Sequence, residues 1–212
     1  MKQLLKMVFM IVAITLLCLG ILGCKSWEYD VERNGIQFKK FHQDEDGFII
    51  GNMSHNQNIH GFPCEKGWIH FKEDWSLQSF QLSEEFLFKG HVFPAHTWIH
   101  MPYHRNQDSF IVALPHDSML QGHVCGGSGG FKGTQTSIYM SGRLRSFFPP
   151  EDIVIQGVSC KATLFENVCL YENGNLKSTK LAADYTVDGK TWKKGSFIEF
   201  DPFGNVAQEQ PN

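Results

Sequence analysis

One nine-residue pattern recurs along the chain and limits what it can fold into. The pattern begins with an apolar residue and has an acid or amide three positions later. A second apolar residue follows three positions after that, and a glycine two positions further ends the pattern. Five segments fit the pattern, the fourth with one extra residue: Met53–Gly61, Leu82–Gly90, Leu114–Gly122, Phe148–Gly157 and Leu181–Gly189. Their glycines lie 29, 32, 35 and 32 residues apart, a spacing typical of repeat proteins.

Two further sets of short segments repeat in register with this pattern. The first set ends in a serine and comprises Leu77–Ser79, Leu144–Ser146 and Leu176–Ser178. The second set begins with an aromatic residue and comprises Trp68–Phe71, Trp98–Met101 and Phe197–Phe200. Three aligned columns favour an internal structural repeat over chance similarity.

The local chemistry of the repeats predicts strands and turns. Segments such as Trp68–Phe71 and Ser137–Met140 are aromatic and β-branched, which suits a pleated surface. Gly, Asn, Asp and Pro bound them, and nothing after Cys24 sustains a helical period. We expect the pattern's polar column to form turns with nearby amides and its glycines to adopt positive φ. That polar column is Asn56, Glu85, Asp117, Asp152 and Asp184, and a shared cation-binding role is the alternative.

A unit of two or three short strands cannot bury its apolar face alone, so neighbouring units must cover it. The sequence therefore predicts an all-β protein, a stacked antiparallel β-hairpin repeat array, with five full units and a partial sixth. The sixth unit ends at "DPFGNV", where Gly204 matches Gly174. We expect residues 24–46 to form a tether and N-terminal cap, 47–206 the repeat domain, and 207–212 a C-terminal tail.

The first 23 residues have the layout of a secretory signal. Lys2 and Lys6 precede Met7–Gly23, a run of 17 residues without charge. A basic segment followed by an apolar one is typical of signal peptides, and we expect the apolar run to form a signal helix. The run lies at the lower limit for crossing the hydrocarbon core of a bilayer, so an uncleaved membrane anchor is the alternative.

The end of that run, Ile21-Leu22-Gly23-Cys24, resembles the lipobox of bacterial lipoproteins. The resemblance implies cleavage between Gly23 and Cys24 and a diacylglyceryl group on the Cys24 thiol, with palmitate-type acyl chains. It implies attachment to the bacterial cell envelope without a spanning helix, because two or more acyl chains hold a protein firmly. By resemblance to enterobacterial sorting signals, Lys25 favours the outer membrane over the inner one. A plain signal peptide with an incidental cysteine is the alternative.

A second resemblance covers Leu170–Val206. With its aromatic residues, its Asn173-Gly174 and Asp188-Gly189 turns and the strands between them, this segment resembles the degenerate MORN-type repeats of bacterial proteins. That family implies stacked β-hairpins and an interaction or scaffolding role.

Charge and cysteine content limit the partners and the cross-links. Without the first 23 residues, which hold two of the 19 basic residues, 17 basic residues stand against 22 acidic ones, a formal charge of −5. No basic patch with interleaved aromatic residues stands out, so nucleic acid is not an expected partner. Cys64, Cys125, Cys160 and Cys169 permit three full disulfide pairings. Cys160 and Cys169 are close enough in sequence to meet across a hairpin, and buried free thiols are the alternative.

The ten histidines suggest metal binding, but their pattern is weak. His96, His100 and His104 are spaced by four, which in a strand separates the ends by about 13 Å, too far for one ion. His70 and His100 share a repeat column and are a better pair, although Glu199 occupies that column later and solvent-facing polar residues explain all three. We therefore predict no metal site and no cofactor.

Two other features of the sequence bear on function. Ser128 lies in a G-x-S-x-G pattern, Gly126–Gly130, but a nucleophile elbow needs a strand before the serine and a helix after it. A loop and a strand follow here, so we predict no catalytic residue. Trp68 and Trp98 could line a sugar- or peptide-binding face, and Trp75 stands at a turn as either an interaction anchor or a locally packed residue.

The sequence favours a non-enzymatic, lipid-anchored envelope protein whose β-repeat surface binds a protein or glycan or acts as a scaffold. Its contact with the membrane would be through the lipid on Cys24. The alternatives are an exported hydrolase or metal-dependent enzyme with a cleft between units, and a periplasmic metal-binding protein.

Overall fold

The structure, a computed structural model, describes residues 27–102, 104, 106–128 and 134–207. These residues form 22 strands joined by turns and contain no helix, so the all-β prediction is confirmed. The predicted signal helix, the Gly23–Cys24 cleavage site, the lipidated Cys24 and residues 208–212 of the predicted tail lie outside the described residues.

Twelve strands form one antiparallel sheet in which the chain meanders from each strand to its neighbour. Numbered along the chain and given in sheet order, they are β1 (Glu28–Arg33), β2 (Ile36–Gln43), β3 (Ile49–Met53), β6 (Gly67–Phe71), β7 (Leu77–Gln81), β10 (Trp98–His100), β11 (Ser109–Ala113), β14 (Thr136–Tyr139), β15 (Leu144–Phe147), β18 (Val168–Leu170), β19 (Leu176–Lys180) and β22 (Phe197–Glu199). The segment predicted as tether and cap thus contains β1 and β2, which form the first edge of this sheet.

Five short hairpins occupy every second connection of the sheet. They are β4 (Gln57–Ile59) with β5 (Phe62–Cys64), β8 (Phe86–Phe88) with β9 (His91–Phe93), β12 (Ser118–Leu120) with β13 (His123–Cys125), β16 (Ile153–Ile155) with β17 (Val158–Cys160), and β20 (Tyr185–Val187) with β21 (Lys190–Trp192). Because successive connections of a meander lie alternately at the two ends of its strands, all five hairpins leave the sheet at the same strand ends. We name this side of the sheet the hairpin edge. The opposite edge, named the turn edge, carries connections such as Lys72–Ser76 and Tyr171–Asn175.

The recurring glycines end the five short hairpins in the same way. Each is the second residue of a two-residue turn in which both residues have positive φ, the geometry of a type I′ hairpin. In the third hairpin, for example, Gln121 has φ 50° and Gly122 has φ 82°. The prediction of positive φ for these glycines is confirmed, and the five glycines are Gly61, Gly90, Gly122, Gly157 and Gly189.

The polar column closes the base of the hairpins. In four hairpins a side-chain Oδ1 accepts a hydrogen bond of 2.7–2.9 Å from the backbone amide ten residues later, across the base. The four acceptors are Asn56, Asp117, Asp152 and Asp184, and Glu85 lies exposed at the same place before β8. Turn formation was expected with neighbouring amides, whereas the bonds span both arms of each hairpin.

The hairpins fold back beneath the sheet and cover one of its faces. At the hairpin tip, Gln121 Oε1 accepts a hydrogen bond from the amide of Leu144 (3.1 Å), and Gln156 does the same for Leu176 (3.0 Å). Both leucines begin strands at the turn edge, so each of these hairpins reaches across the width of the sheet. The sequence suggested hairpins that cover one another, but the structure has two layers, a continuous sheet and a row of hairpins.

The hydrophobic core lies between these two layers. The sheet contributes side chains that are 0% exposed: Ile69, Phe80, Ile99, Phe110, Ile138 and Phe147. The hairpins contribute Cys64, Phe93, Leu120, Cys125 and Cys160, all at 1% exposure or less. Burial of one such side chain stabilises the fold by about 1.5–3 kcal/mol relative to exposure. An isolated unit would leave these side chains exposed to water and would lack that stabilisation.

Candidate functional site

The sheet face opposite the hairpins, here named the open face, has no layer over it among the described residues. A continuous row of directly paired residues crosses this face from β2 to β22. We name it the cross-sheet row, and in order its members are His42, Ile50, His70, Ser79, His100, Ile111, Ser137, Ser146, Cys169, Ser178 and Glu199. The row therefore joins residues from all five repeats on one surface.

The second half of the row forms the floor of a groove. Ser137, Ser146 and Cys169 have short side chains, so the sheet surface is low there while longer side chains rise on either side. The resulting cavity, named the serine groove, has a volume of about 860 Å³. Its wall at the turn edge comes from Met101, Pro102, Asn106, Gln107 and Asp108, and its rims carry Tyr139, Arg145 and Lys177.

Arg145 is held on the rim of the groove by three contacts. Its Nη1 donates to Asp108 Oδ1 in an ion pair and to Ser109 Oγ, and its guanidinium lies 5.4 Å from the centre of the Tyr139 ring. The Tyr139 hydroxyl donates to the carbonyl of Leu170 (3.2 Å), and burial raises its pKa. Tyr139 thus stays protonated at neutral pH and supports the cation from below.

The same arrangement recurs one unit later. Lys177 Nζ lies 5.5 Å from the centre of the Tyr171 ring, and the Tyr171 hydroxyl donates to the carbonyl of Phe200 (2.7 Å). Arg145 and Lys177 are on strands two apart in the sheet, about 10 Å from each other at strand spacing. The groove therefore presents a repeated cation on its rim.

The histidine pair suggested by the sequence lies on the row. His70 and His100 flank Ser79, and the Ser79 Oγ shares a hydrogen bond of 2.9 Å with His100 Nδ1. Burial lowers the pKa of both imidazoles, and their mutual repulsion lowers that of His100 further. Both are neutral at neutral pH and can each donate and accept one hydrogen bond. Glu199 lies at the far end of the same row.

Trp68 and Trp98 precede these histidines by two residues and so share the open face. Trp68 is 45% exposed and meets the ring of Trp27 edge-on at 5.9 Å. The half-buried Trp98 stacks on the His100 ring, with centres 6.1 Å apart and planes 11° apart. These two of the predicted interaction residues are therefore brought to one surface.

Trp75 lies elsewhere. It occupies the turn position that holds glycine in the equivalent turns at Gly142, Gly174 and Gly204. Like those glycines it has a positive φ, 63°. Its ring stacks on Phe41 (6.0 Å between centres) and contacts Phe71, two residues of the hydrophobic core. Of the two roles that the sequence allowed for Trp75, its position is that of a locally packed residue.

The other histidines and the serine of the glycine-rich pattern are not brought together. His96 binds Glu65 Oε2 at the hairpin edge (2.8 Å), while His100 points onto the open face and His104 follows in the loop beyond it. Among the described residues no three His, Cys, Asp or Glu side chains converge as a metal site would require. Ser128 lies in a loop, where its Oγ accepts a hydrogen bond from Thr134 (3.1 Å).

All four described cysteines are free thiols, so the structure contains none of the disulfides that the sequence left open. Cys64, Cys125 and Cys160 are buried in the second strands of three hairpins, at one repeat position. Burial raises the pKa of the Cys64 and Cys125 thiols to about 12. Cys169 is half-buried and lines the serine groove.

Sequence reasoning missed the groove itself. The serines of the Leu77–Ser79, Leu144–Ser146 and Leu176–Ser178 column were recognised as repeats, but not as members of the cross-sheet row in which Ser146 forms part of the groove floor. The signal was present, since a small polar residue recurs where a strand would otherwise carry a large side chain. No comparable pattern in the sequence indicates that the Tyr139 ring lies against the Arg145 guanidinium.

Comparison with known proteins gives no relative: no family model, curated protein or solved structure matches the chain. Within the described part of the chain, no helix has the length and apolar character needed to cross a membrane.

Proposed function

We propose that this chain is a non-enzymatic, lipid-anchored protein of the bacterial envelope that binds an extended ligand along its open face. The observation that carries the proposal is the asymmetry of the sheet. One face is covered by five hairpins, and the other presents a row of eleven directly paired residues with a groove of about 860 Å³. A long, shallow surface with polar groups along its length suits a polymer better than a compact substrate.

A glycan fits this surface better than a polypeptide strand. The backbone groups of the inner strands are used in the sheet itself, so a polypeptide lying on the groove would find no free main-chain partners. Hydroxyl, imidazole and guanidinium groups beside Trp98 and Tyr139 offer a sugar both hydrogen bonds and flat apolar surfaces. A protein ligand recognised through side chains is the alternative outcome.

Binding rather than catalysis is favoured by how the polar groups are held. The Ser79–His100 pair resembles a nucleophile and its base, but Ser79 is only 5% exposed and lies between two imidazoles on the sheet floor. A substrate carbonyl could not reach its hydroxyl without displacing those rings.

The binding test is titration of the acylated protein in detergent with soluble fragments of envelope polysaccharides, followed by calorimetry. Ser146→Trp fills the groove floor and should lower affinity more than tenfold. Thr186→Trp, on the exposed face of the last hairpin, is the matched control and should bind as the native chain does. Equal affinity for both variants would place the ligand elsewhere, and capture of a protein instead of a glycan would decide for the alternative.

The anchor is proposed from the lipobox resemblance at Cys24, with the outer membrane favoured over the inner one. Cys24→Ala should release the protein into the soluble fraction, and protease treatment of intact cells reports which side of the outer membrane it occupies. Unchanged partitioning with detergent would contradict lipidation. We also propose that the repeats are of the MORN type, which is supported by turns at Asn173-Gly174 and Asp188-Gly189.

A further inference from the structure

The first strands of the sheet carry a cluster of aromatic side chains on the open face. Tyr29 is 63% exposed and Trp68 is 45% exposed, and Trp27 lies against Trp68 with ring centres 5.9 Å apart. Lys40 Nζ is 4.1 Å from the centre of the Trp27 ring and 5.9 Å from that of Tyr29. We name Trp27, Tyr29, Lys40 and Trp68 the aromatic patch.

The patch lies next to the predicted lipid attachment. Trp27 follows Cys24 by three residues, and three residues of fully extended chain span at most about 10 Å. If Cys24 carries acyl chains, as the proposed function holds, Trp27 cannot leave the headgroup region of the bilayer. The length of the tether thus determines which surface of the protein meets the membrane.

We propose that the aromatic patch is a membrane-interface site that binds the headgroup layer of the bilayer holding the lipid anchor. Tyrosine and tryptophan combine an apolar ring with one polar atom, which suits the boundary between acyl chains and headgroups. Lys40 places a cation between two of these rings, where it can bind a lipid phosphate. Glu28, one of the carboxylates of β1, is paired with Arg33.

This contact would orient the rest of the sheet. Six strand steps separate β2, in the patch, from β14, in the serine groove, and at about 20° per step they rotate the open face by roughly 120°. The patch can therefore lie on the membrane while the groove faces away from it. One sheet would then combine a membrane-binding surface at its first strands with a ligand-binding surface at its later strands.

A second exposed apolar area competes for this role. Leu87, Val92, Met119 and Val154 are 52–70% exposed on the outer side of three successive hairpins. It lies on the hairpin layer, so membrane contact there would not involve Trp27 or Trp68 of the open face. A measurement of which surface is in the lipid therefore decides the proposal.

The test uses the acylated full chain, reconstituted in phosphatidylethanolamine–phosphatidylglycerol vesicles whose acyl chains are brominated. Bromine quenches tryptophans at the membrane, so the native protein should lose fluorescence. Trp68→Phe should remove about half of the quenchable signal, because Trp27 remains. Trp192→Phe, in the last hairpin, is the matched control and should remove none of it. Lys40→Glu should reduce quenching in vesicles with phosphatidylglycerol and have less effect in neutral ones.

The outcomes separate this inference from the anchor. Mass spectrometry and flotation show whether Cys24 is acylated and holds the protein on vesicles. An acylated, floating protein whose quenching is absent, or equal in Trp68→Phe and the native chain, overturns the membrane-interface site and leaves the anchor standing. Absence of both acylation and flotation overturns the anchor, and the interface site with it.

Discussion

The two faces of the same twelve strands differ in what they repeat. On the covered face, large apolar residues recur against the hairpins, and Phe80, Phe110 and Phe147 are all 0% exposed. In the last repeat the smaller, buried Thr179 takes the position of Phe80 and Phe147. On the open face, the cross-sheet row keeps a serine at Ser79, Ser146 and Ser178, but the residues paired with these serines change from histidine to serine, cysteine and glutamate. Packing against a regular layer demands similar volumes in each unit. The open face has no such constraint, so its variation is available for binding.

The comparison can be tested first within one strand. Phe110 lies on the covered face of β11, and Ile111, its neighbour, lies half-buried on the open face. Phe110→Ala should lower the free energy of unfolding by about 3–5 kcal/mol, because it leaves a cavity between the layers. Ile111→Ala should cost about 1 kcal/mol or less. Urea unfolding of both variants is the measurement, and similar losses would show that the faces do not differ in packing.

The cysteines test the same contrast chemically. Cys169 opens onto the groove, whereas Cys64, Cys125 and Cys160 lie in the core. Burial raises the pKa of Cys64 and Cys125 to about 12, and only thiolates react quickly. In the native mature protein Cys169 should be labelled at least a hundredfold faster than these three.

The measurement is mass spectrometry of peptides after timed alkylation. Cys169→Ser removes the fast site and serves as the control, and all four thiols should react together in urea. Rapid native labelling of a core cysteine, or a disulfide found between any pair, would contradict the two-layer packing.

The contrast between the faces also explains how far sequence could go. The type I′ turns at Gly122 and Gly157 follow from local chemistry, because two residues decide the geometry. The shared column of His70 and His100 followed from the repeat alone. The pairing of Arg145 with Asp108, 37 residues away, depends on strand register, which no local pattern records.

The rule that side chains alternate between the two faces of a strand would also have put one residue of the groove on the wrong face. Arg145 and Ser146 are consecutive, and a regular strand points consecutive side chains to opposite faces. Both line the serine groove, because the pairing of β14 with β15 shifts register between Ser137 and Ile138. A bulge of this kind re-aims a side chain without a clear sequence signal.

A smaller effect is expected at the turn edge, where Trp75 has positive φ while its ring contacts the core. Trp75→Ala and Trp75→Gly both lose the stack on Phe41. Only alanine keeps a Cβ at φ 63°, so the glycine variant should be more stable than the alanine variant by about 1 kcal/mol. Gly174→Ala tests the same conformation without a ring, since a Cβ there meets nothing within 4 Å. Thermal unfolding of the three variants is the measurement, and an alanine variant as stable as the glycine one would refute the strain.

The smallest effect concerns pH and two histidines of the open face. Burial lowers the folded-state pKa of His70 and His100 below the usual histidine value of about 6.5, so the unfolded chain binds protons first as the pH falls. The contribution of the neutral imidazoles to folding stability is then fully present above about pH 6.5 and is lost as the pH falls below it. At a pH below the folded-state pKa no further stability is lost. His100→Gln, which can still bond to Ser79, should flatten this part of the stability–pH curve. His55→Gln, at an exposed histidine before the first hairpin, should leave it unchanged. If that part of the curve instead rises as the pH falls from 7 to 5, these imidazoles are stabilised in their charged form, and the neutral state described above for His70 and His100 is wrong.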